Sequence, residues 1–341
     1  MSSSSLPVKT KIVFFDVKDW ELPYIKKLRA GYDIQTVSAG LSSENVEKYK
    51  DAEIISVFIS SDLSKEIVRL LPKLKYIATR STGYDHVDIK YCASKKITVS
   101  NVPTYGDNTV AEHAMALILA LTRRLPESID RVLKGDFFPD GLTGIDLKGK
   151  IIGVIGTGHI GKNVIQMAKG FGMKILAFDL YPDEKYASEN GFMYSPLEYV
   201  LSRADIVTLH VPYNSGTRHM INRENIGKMK RGVIIVNTAR GGLIETDALF
   251  DAVKTGHVGG VGLDVLEGEK FLSEEVELLY NDKCSGVDFK IALENHALAR
   301  FPNVIITPHN AFNSAEALQR IIKTTIENID AYKSGKMINL V

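Results

Sequence analysis

Three side chains in the second half of the chain could together hold a small anion and pass it a proton: Arg240, Glu269 and His309. Arg240 ends the stretch VIIVNTAR, where a buried-looking β-branched run over residues 233–238 meets a charge that cannot be neutralised. Its planar guanidinium suits two-point recognition of a carboxylate. His309 follows NVIITP, and a histidine can deliver or take a proton near neutral pH. Glu269 follows GGVGLDV by a short turn; a carboxylate beside a histidine favours the charged ring and fixes its orientation. Each residue also has a plainer reading. Arg240 could pair with Asp264 or Glu245, His309 could be a turn residue after Thr307-Pro308, and Glu269 lies in the acidic run EGEKFLSEE.

A fourth feature gives the three a common purpose. The stretch IIGVIGTGHIGKNVIQMAKGFG runs from an apolar strand into Gly156-x-Gly158-x-x-Gly161, then into a helix-forming run, and the next strand, KILAFD, ends on Asp179. Strand, glycine turn, helix and a later acid mark a dinucleotide site. Gly156 permits the tight turn, Gly158 lets a pyrophosphate approach the backbone, and Gly161 allows close helix–strand packing. The helix N-terminus adds N–H donors and positive partial charge. Asp179 can accept from a ribose 2′-hydroxyl and would repel a 2′-phosphate, and Leu180-Tyr181 offers no arginine to offset that repulsion. NAD is therefore expected rather than NADP. Hydride from a nicotinamide, a proton from His309 and a grip from Arg240 is the chemistry of 2-oxo acid reduction.

Strand–helix alternation must position these residues. KIVFFDV, DIQTV, EIISVFI, KYIAT and ITVSN read as strands, separated by segments of helical spacing such as DWELPYIKKLRAG and SKEIVRLL. A long helix is expected over Val110–Leu133, then a loop, KGDFFPDGLTGIDLKGK. A second series follows: KIIGVIG, KILAFD, ADIVTLH, GVIIVNT, GGVGLDV and NVIITP. A final amphipathic helix over Ala315–Ser334 stops at Gly335. The expected fold class is α/β, with two Rossmann-like parallel-sheet domains, and ligands should sit beyond the carboxyl ends of the strands.

The 341 residues are enough for two such domains. With 42 basic and 41 acidic residues, no electrostatic footprint for nucleic acid or an anionic membrane is visible. Cys92 and Cys284 cannot form a disulfide framework, and the start, MSSSSLPVKT, lacks a signal-peptide pattern, so the cytoplasm is expected. His86, His113, His219, His257 and His296 show no ligand spacing, and no metal is expected.

The chain resembles the D-2-hydroxyacid dehydrogenase family, most closely its D-lactate dehydrogenase branch. The resemblance runs through RSTGYDHVD, NVPTYGDNTVAEHAMALIL, GLTGIDLKGKIIGVIGTGHIG, LHVPYNSGTRHMIN, VNTARGGLIETDAL, GLDVLEGE and ITPHNAFNSAEAL, and so covers nearly the whole chain. It implies that Arg240 binds the substrate carboxylate, that His309 is the acid/base and that Glu269 is its partner. It implies cofactor contacts at His159, Ile160, Asp179, Val211, Pro212, Thr217, Thr238, Ala239 and Asp264. Substrate contacts are implied at Ser81, Thr82 and Gly83, with Tyr105 and Phe312 as pocket walls. Leu63 is similar in position to a pocket-facing tyrosine of some lactate-specific relatives.

The resemblance also implies a substrate domain over 1–109 and 310–341, an NAD-binding domain over 110–309, and a homodimer formed through the latter. The expected reaction is reversible reduction of pyruvate to D-lactate with NADH. The alternatives are another 2-oxo acid (2-oxoisocaproate, hydroxypyruvate or glyoxylate) or an NAD-sensing corepressor.

Overall fold

A computed structural model describes residues 9–29, 31–269 and 286–341. Cys284, the serine-rich start and most of the acidic run after Glu269 lie outside the described residues. The chain divides into two compact units: Met1–Tyr105 with Ser314–Val341, and Gly106–Asn313.

The first unit is built on five parallel strands: β1 (Thr10–Phe14), β2 (Tyr32–Thr36), β3 (Ile54–Val57), β4 (Tyr76–Thr79) and β5 (Thr98–Ser100). Their order is β2-β1-β3-β4-β5. Alternation within KIVFF decides what each face buries. Val13 and Phe15 pack with Ile55, Val57 and Ile77 on one side. Ile12 and Phe14 pack with Ile54 and Tyr76 on the other, where Ile322 and Ile329 of the helix Ala315–Lys333 close the layer. Each of those two isoleucines contributes about 1.5–3 kcal/mol by its burial. The helix is capped by Ser314, whose hydroxyl accepts from the Ala317 N–H, and it ends just before Gly335 at φ 77°.

The second unit carries seven parallel strands: β6 (Ile151–Ile155), β7 (Lys174–Phe178), β8 (Met193–Tyr194), β9 (Ile206–Leu209), β10 (Val233–Asn237), β11 (Val258–Leu263) and β12 (Val304–Ile306). Their order is β12-β11-β10-β9-β6-β7-β8, so the order reverses between β6 and β9. Such a switch point opens a crevice at the carboxyl ends of the strands. β10 is buried at all five positions, with Ile234 and Val236 facing one layer and Val233 and Ile235 the other.

Two expectations are corrected here. The single helix over Val110–Leu133 is two helices, Asp107–Thr122 and Leu125–Leu133, broken at Arg124 in the left-handed region (φ 50°). Pro126 causes the break, since it has no N–H to offer the carbonyl of Thr122. That carbonyl accepts instead from Ile145 (2.9 Å), which ties the following loop to the helix end. Leu63, expected at a pocket wall, is fully buried among Leu41, Ile67 and Val87 of the first unit's core. Its backbone is bracketed by His86 and Asp88, which turns the side chain inward.

Candidate active site

The second unit brings Arg240, Glu269 and His309 to the carboxyl ends of three neighbouring strands, β10, β11 and β12. Asn237, the last residue of β10, shapes the first of these ends. Fully buried, it donates its amide to the Arg240 carbonyl (2.8 Å) and accepts from the Ala239 N–H (3.0 Å). The side chain thus folds the turn that presents Arg240 in extended backbone (φ −147°). Of the two acids once open as structural partners for Arg240, Asp264 binds Thr307, Asn310 and Ala311, and Glu245 accepts from the Arg223 N–H.

His309 places Nδ1 3.2 Å from the Glu269 carboxylate, and both side chains are part-exposed. A proton on Nδ1 donated to Glu269 leaves Nε2 as the nitrogen that can exchange a proton with a ligand. His309 itself has left-handed backbone (φ 48°), a conformation that costs a non-glycine residue roughly 1–2 kcal/mol. Asp264, 1% exposed, offsets that cost. Its carboxylate accepts from the Thr307 hydroxyl (2.5 Å) and from the N–H groups of Asn310 and Ala311 (2.9 Å each).

At the switch point, β6 runs through Gly156 into the helix His159–Gly170. Gly156 sits at φ 93°, where a Cβ would come within 2.7 Å of the His210 carbonyl. Nothing lies within 4 Å of a Cβ built at Gly158, whereas one at Gly161 would lie 2.0 Å from the Gly156 oxygen. The motif glycines thus leave open space in front of the helix N-terminus and lock the turn behind it. Asp179, at the end of β7, accepts from the Thr157 N–H (2.6 Å) and hydroxyl (3.0 Å) and from the Tyr181 N–H (2.9 Å). After β9, the Thr217 hydroxyl donates to the Pro212 carbonyl (2.7 Å) and closes the Val211–Thr217 turn. His159 is exposed, and Ile160 packs on the core beneath the glycine turn.

Buried polar atoms on this rim tell of a polar ligand. Thr238 Oγ1, Asn310 Oδ1 and His210 Nδ1 are buried with no partner among the described residues, and all three follow the carboxyl ends of β9, β10 and β12. Burial drives the His210 pKa from its ordinary 6.5 down to about 3, so the ring is neutral and its Nε2 contacts the Thr208 hydroxyl (2.9 Å). A dinucleotide fits this edge: open space lies before the helix N-terminus at Gly158, and the buried polar atoms along the rim are left for a ligand.

The remaining expected residues belong to the loop after β4 and to the unit boundaries. Ser81 donates to the Gly83 carbonyl (2.6 Å) and Thr82 to the Val102 carbonyl (2.8 Å). The N–H groups of Thr82 and Gly83 take no partner among the described residues. Arg80 anchors this loop from below. Its guanidinium is 1% exposed, pairs with Glu21 (3.1 Å) and donates to Ser56 and the Phe15 carbonyl. Burial lowers the Arg80 pKa, and the charges of Glu21 and Asp16 oppose that shift. Tyr105 closes the first segment of unit one, where its carbonyl accepts from Arg320, and Phe312 falls in unit two.

Asn237 and Arg80 were not singled out in the sequence. The N-T-A-R spacing was the available signal for Asn237, because an Asn side chain readily bonds its own backbone two or three residues on. Arg80, in a run of apolar strand residues, had the same oddity as Arg240.

Residues 115–311 match the family profile described as D-isomer specific 2-hydroxyacid dehydrogenase, NAD binding domain. The D-lactate dehydrogenase of Aquifex aeolicus, solved with NAD and lactic acid, is 38% identical, with 97% of this chain and 98% of that one covered and a TM-score of 0.87. The D-lactate dehydrogenase of Escherichia coli K12 is 33% identical over 96% of this chain and 98% of its own. The aromatic 2-oxoacid reductase of Clostridium sporogenes is 34% identical over 95% and 96%. A glycine turn and rim suited to a dinucleotide, inside a profile that spans most of the second unit, lead to one conclusion: the chain belongs to the D-isomer-specific 2-hydroxyacid dehydrogenase family and is an NAD-dependent oxidoreductase.

Proposed function

We propose that the chain reduces pyruvate to D-lactate with NADH, and runs the reverse oxidation. The observation that carries this reading is the His309–Glu269 contact at 3.2 Å on the strand ends next to Arg240. The likeness to the Aquifex aeolicus enzyme bound to lactic acid supports the choice of substrate. Bound NADH supplies the hydride for C2 of the 2-oxo acid. Arg240 holds the carboxylate and turns the carbonyl toward the cofactor. His309 donates its Nε2 proton to the oxygen on C2, while Glu269, 3.2 Å from Nδ1, holds the ring in orientation. In the oxidising direction His309 takes the hydroxyl proton. In the first unit, the N–H groups of Thr82 and Gly83, in the loop that Ser81 shapes, are further candidate donors to an acid.

A second reading keeps the chemistry and enlarges the substrate. The aromatic 2-oxoacid reductase is as similar to this chain as the Escherichia coli lactate enzyme. Measuring kcat/KM with NADH for pyruvate, 2-oxoisocaproate, phenylpyruvate, hydroxypyruvate and glyoxylate, with product chirality, separates the two. The proposal stands if pyruvate leads and gives D-lactate; it falls if phenylpyruvate or 2-oxoisocaproate is clearly preferred. Turnover too slow to matter on every 2-oxo acid would revive the NAD-sensing reading.

The same proposal makes the enzyme a cytoplasmic homodimer joined through the second unit. Its support is one apolar face. The helix Leu125–Leu133 buries none of its residues, and Ile129, Leu133, Phe137 and Phe138 are 60–80% exposed. Large apolar side chains exposed together in one short segment favour an interface there.

A further inference from the structure

The imidazole of His113 lies 3.1 Å from the Thr307 hydroxyl and 3.5 Å from the Asp264 carboxylate, on a helix that carries none of the proposed site residues. We infer that His113 is a positioning residue of the reaction: through Thr307 it completes the brace that holds His309 in its left-handed turn. This rests on the reading of His309 as the proton donor.

Counting protons fixes the direction of the brace. Thr307 has a single hydroxyl proton, and its 2.5 Å contact with Asp264 claims that proton, because an ionised carboxylate only accepts. The Thr307 oxygen is then left to accept from His113, so the Nε2–H of His113 is the donor at 3.1 Å. Asp264 passes the restraint on to the N–H groups of Asn310 and Ala311, and the His309 N–H closes on the Thr307 carbonyl (2.9 Å). Of the five positions from Thr307 to Ala311, three are held by the Asp264 carboxylate, His309 is held by the Thr307 carbonyl, and His113 steadies Thr307. A left-handed non-glycine residue persists only where its surroundings over-determine it, and here they do.

The glycine-rich strand explains why the imidazole reaches this far. β11 reads VGGVGL, and a Cβ at Gly262 would lie 3.1 Å from the Leu117 Cβ and 3.4 Å from Leu121. Bare backbone lets the helix Asp107–Thr122 lie close to the sheet. His113, one turn before Leu117 on that helix, is thereby brought to the end of β12. No ligand role is needed for it.

The test uses the intact enzyme with NADH and its best 2-oxo acid. H113A should lower kcat about 10- to 100-fold, the order expected when a reacting group is misplaced by a fraction of an ångström to an ångström. NADH affinity, read by fluorescence titration, should change far less than kcat, because the brace acts first on the turn that carries His309. H113Q retains a side-chain N–H and should recover most of kcat, and T307V should reproduce the H113A defect while T307S does not. The inference is overturned if H113A keeps wild-type kcat, if H113Q is as poor as H113A although both fold, or if the loss appears only in NADH binding. H309Q checks the underlying reading independently: it must lower kcat at least about 100-fold. If it does not, His309 is not the proton donor, whatever His113 does.

Discussion

Gly241 and Leu266 meet backbone to backbone. A Cβ on Gly241 would lie 2.0 Å from the Leu266 carbonyl carbon, so the loop that carries Arg240 and the turn that leads to Glu269 are in direct main-chain contact. His219 reinforces the joint: its N–H donates to the Gly242 carbonyl (2.8 Å) and its ring contacts Glu267 (2.6 Å), which also accepts from Thr246. The spacing between the proposed carboxylate grip and the proposed proton donor's partner is therefore set by a glycine. Gly241→Ala should cost about 1–3 kcal/mol of stability by overpacking, or roughly 2–10 °C in Tm, and should lower kcat/KM more than any loss of folded protein explains. Calorimetry beside steady-state kinetics checks it; unchanged kinetics would mean that the two loops are independent.

Arg240→Gln should raise the substrate KM and lower kcat together. A charge-assisted hydrogen bond contributes about 1.5–3 kcal/mol, so kcat/KM should fall at least about 10- to 150-fold. Arg240→Lys should rescue only part of it, since an ammonium cannot reproduce a planar two-point grip. An R240Q enzyme with near-normal kcat/KM would remove Arg240 from the proposed site.

Cofactor choice should turn on Asp179. Asp179→Ser keeps a hydroxyl that can serve Thr157, now bonded to the carboxylate at 2.6 Å, while removing the charge that repels a 2′-phosphate. The ratio of kcat/KM for NADH over NADPH should drop by at least about tenfold, equivalent to about 1.4 kcal/mol. A ratio that does not move would place the discrimination elsewhere on the rim.

The buried ring of His210 predicts an acid sensitivity of the fold. In the unfolded chain it binds a proton below its ordinary value near 6.5; in the folded one it does not until about 3. Between those values the unfolded state holds more protons, so stability is full above about pH 6.5 and is lost as pH falls toward 3, by up to about 1.4 kcal/mol per pH unit from this one group. Urea midpoints between pH 4.5 and 7.5 should therefore slope less in His210→Gln than in the wild type. Parallel slopes would contradict the prediction.

The exposed face of Leu125–Leu133 should govern assembly. Ile129→Asp combined with Phe138→Ser ought to convert a dimer into single chains by light scattering, because two charged or polar groups would be buried in an apolar contact. Retention of the dimer would put the interface on another surface.

Much of this was legible in the chain because it depends on local rules. The strands declared themselves by β-branched runs, and Gly156, with its φ of 93°, is a backbone requirement that only glycine meets easily. The break at Arg124 was missed because the apolar pattern continues across it; Pro126 was the signal to weigh more heavily. β8 was missed because two residues, Met193 and Tyr194, carry no periodicity, and only pairing with β7 makes them a strand. Leu63 was misplaced because its burial is decided by neighbours far along the chain. Asp264 was expected beside the cofactor, yet its three contacts to Thr307, Asn310 and Ala311 join residues more than 40 positions away. Tertiary bonds of that kind leave no local trace.

The first unit is assembled from both ends of the sequence, and this shapes its birth on the ribosome. Its strands β1, β3 and β4 are made early, but the helix that covers Ile12, Phe14 and Tyr76 belongs to Ser314–Val341. Between them the ribosome must make the whole of the second unit, a delay of roughly 10–40 s at about 5–20 residues per second. For that interval one apolar sheet face is covered only in part, by Leu22, Ile25 and Leu28, while the second unit can already fold. The second unit is therefore completed before the first, and the nascent first unit is the stage at which a chaperone would find the most to bind.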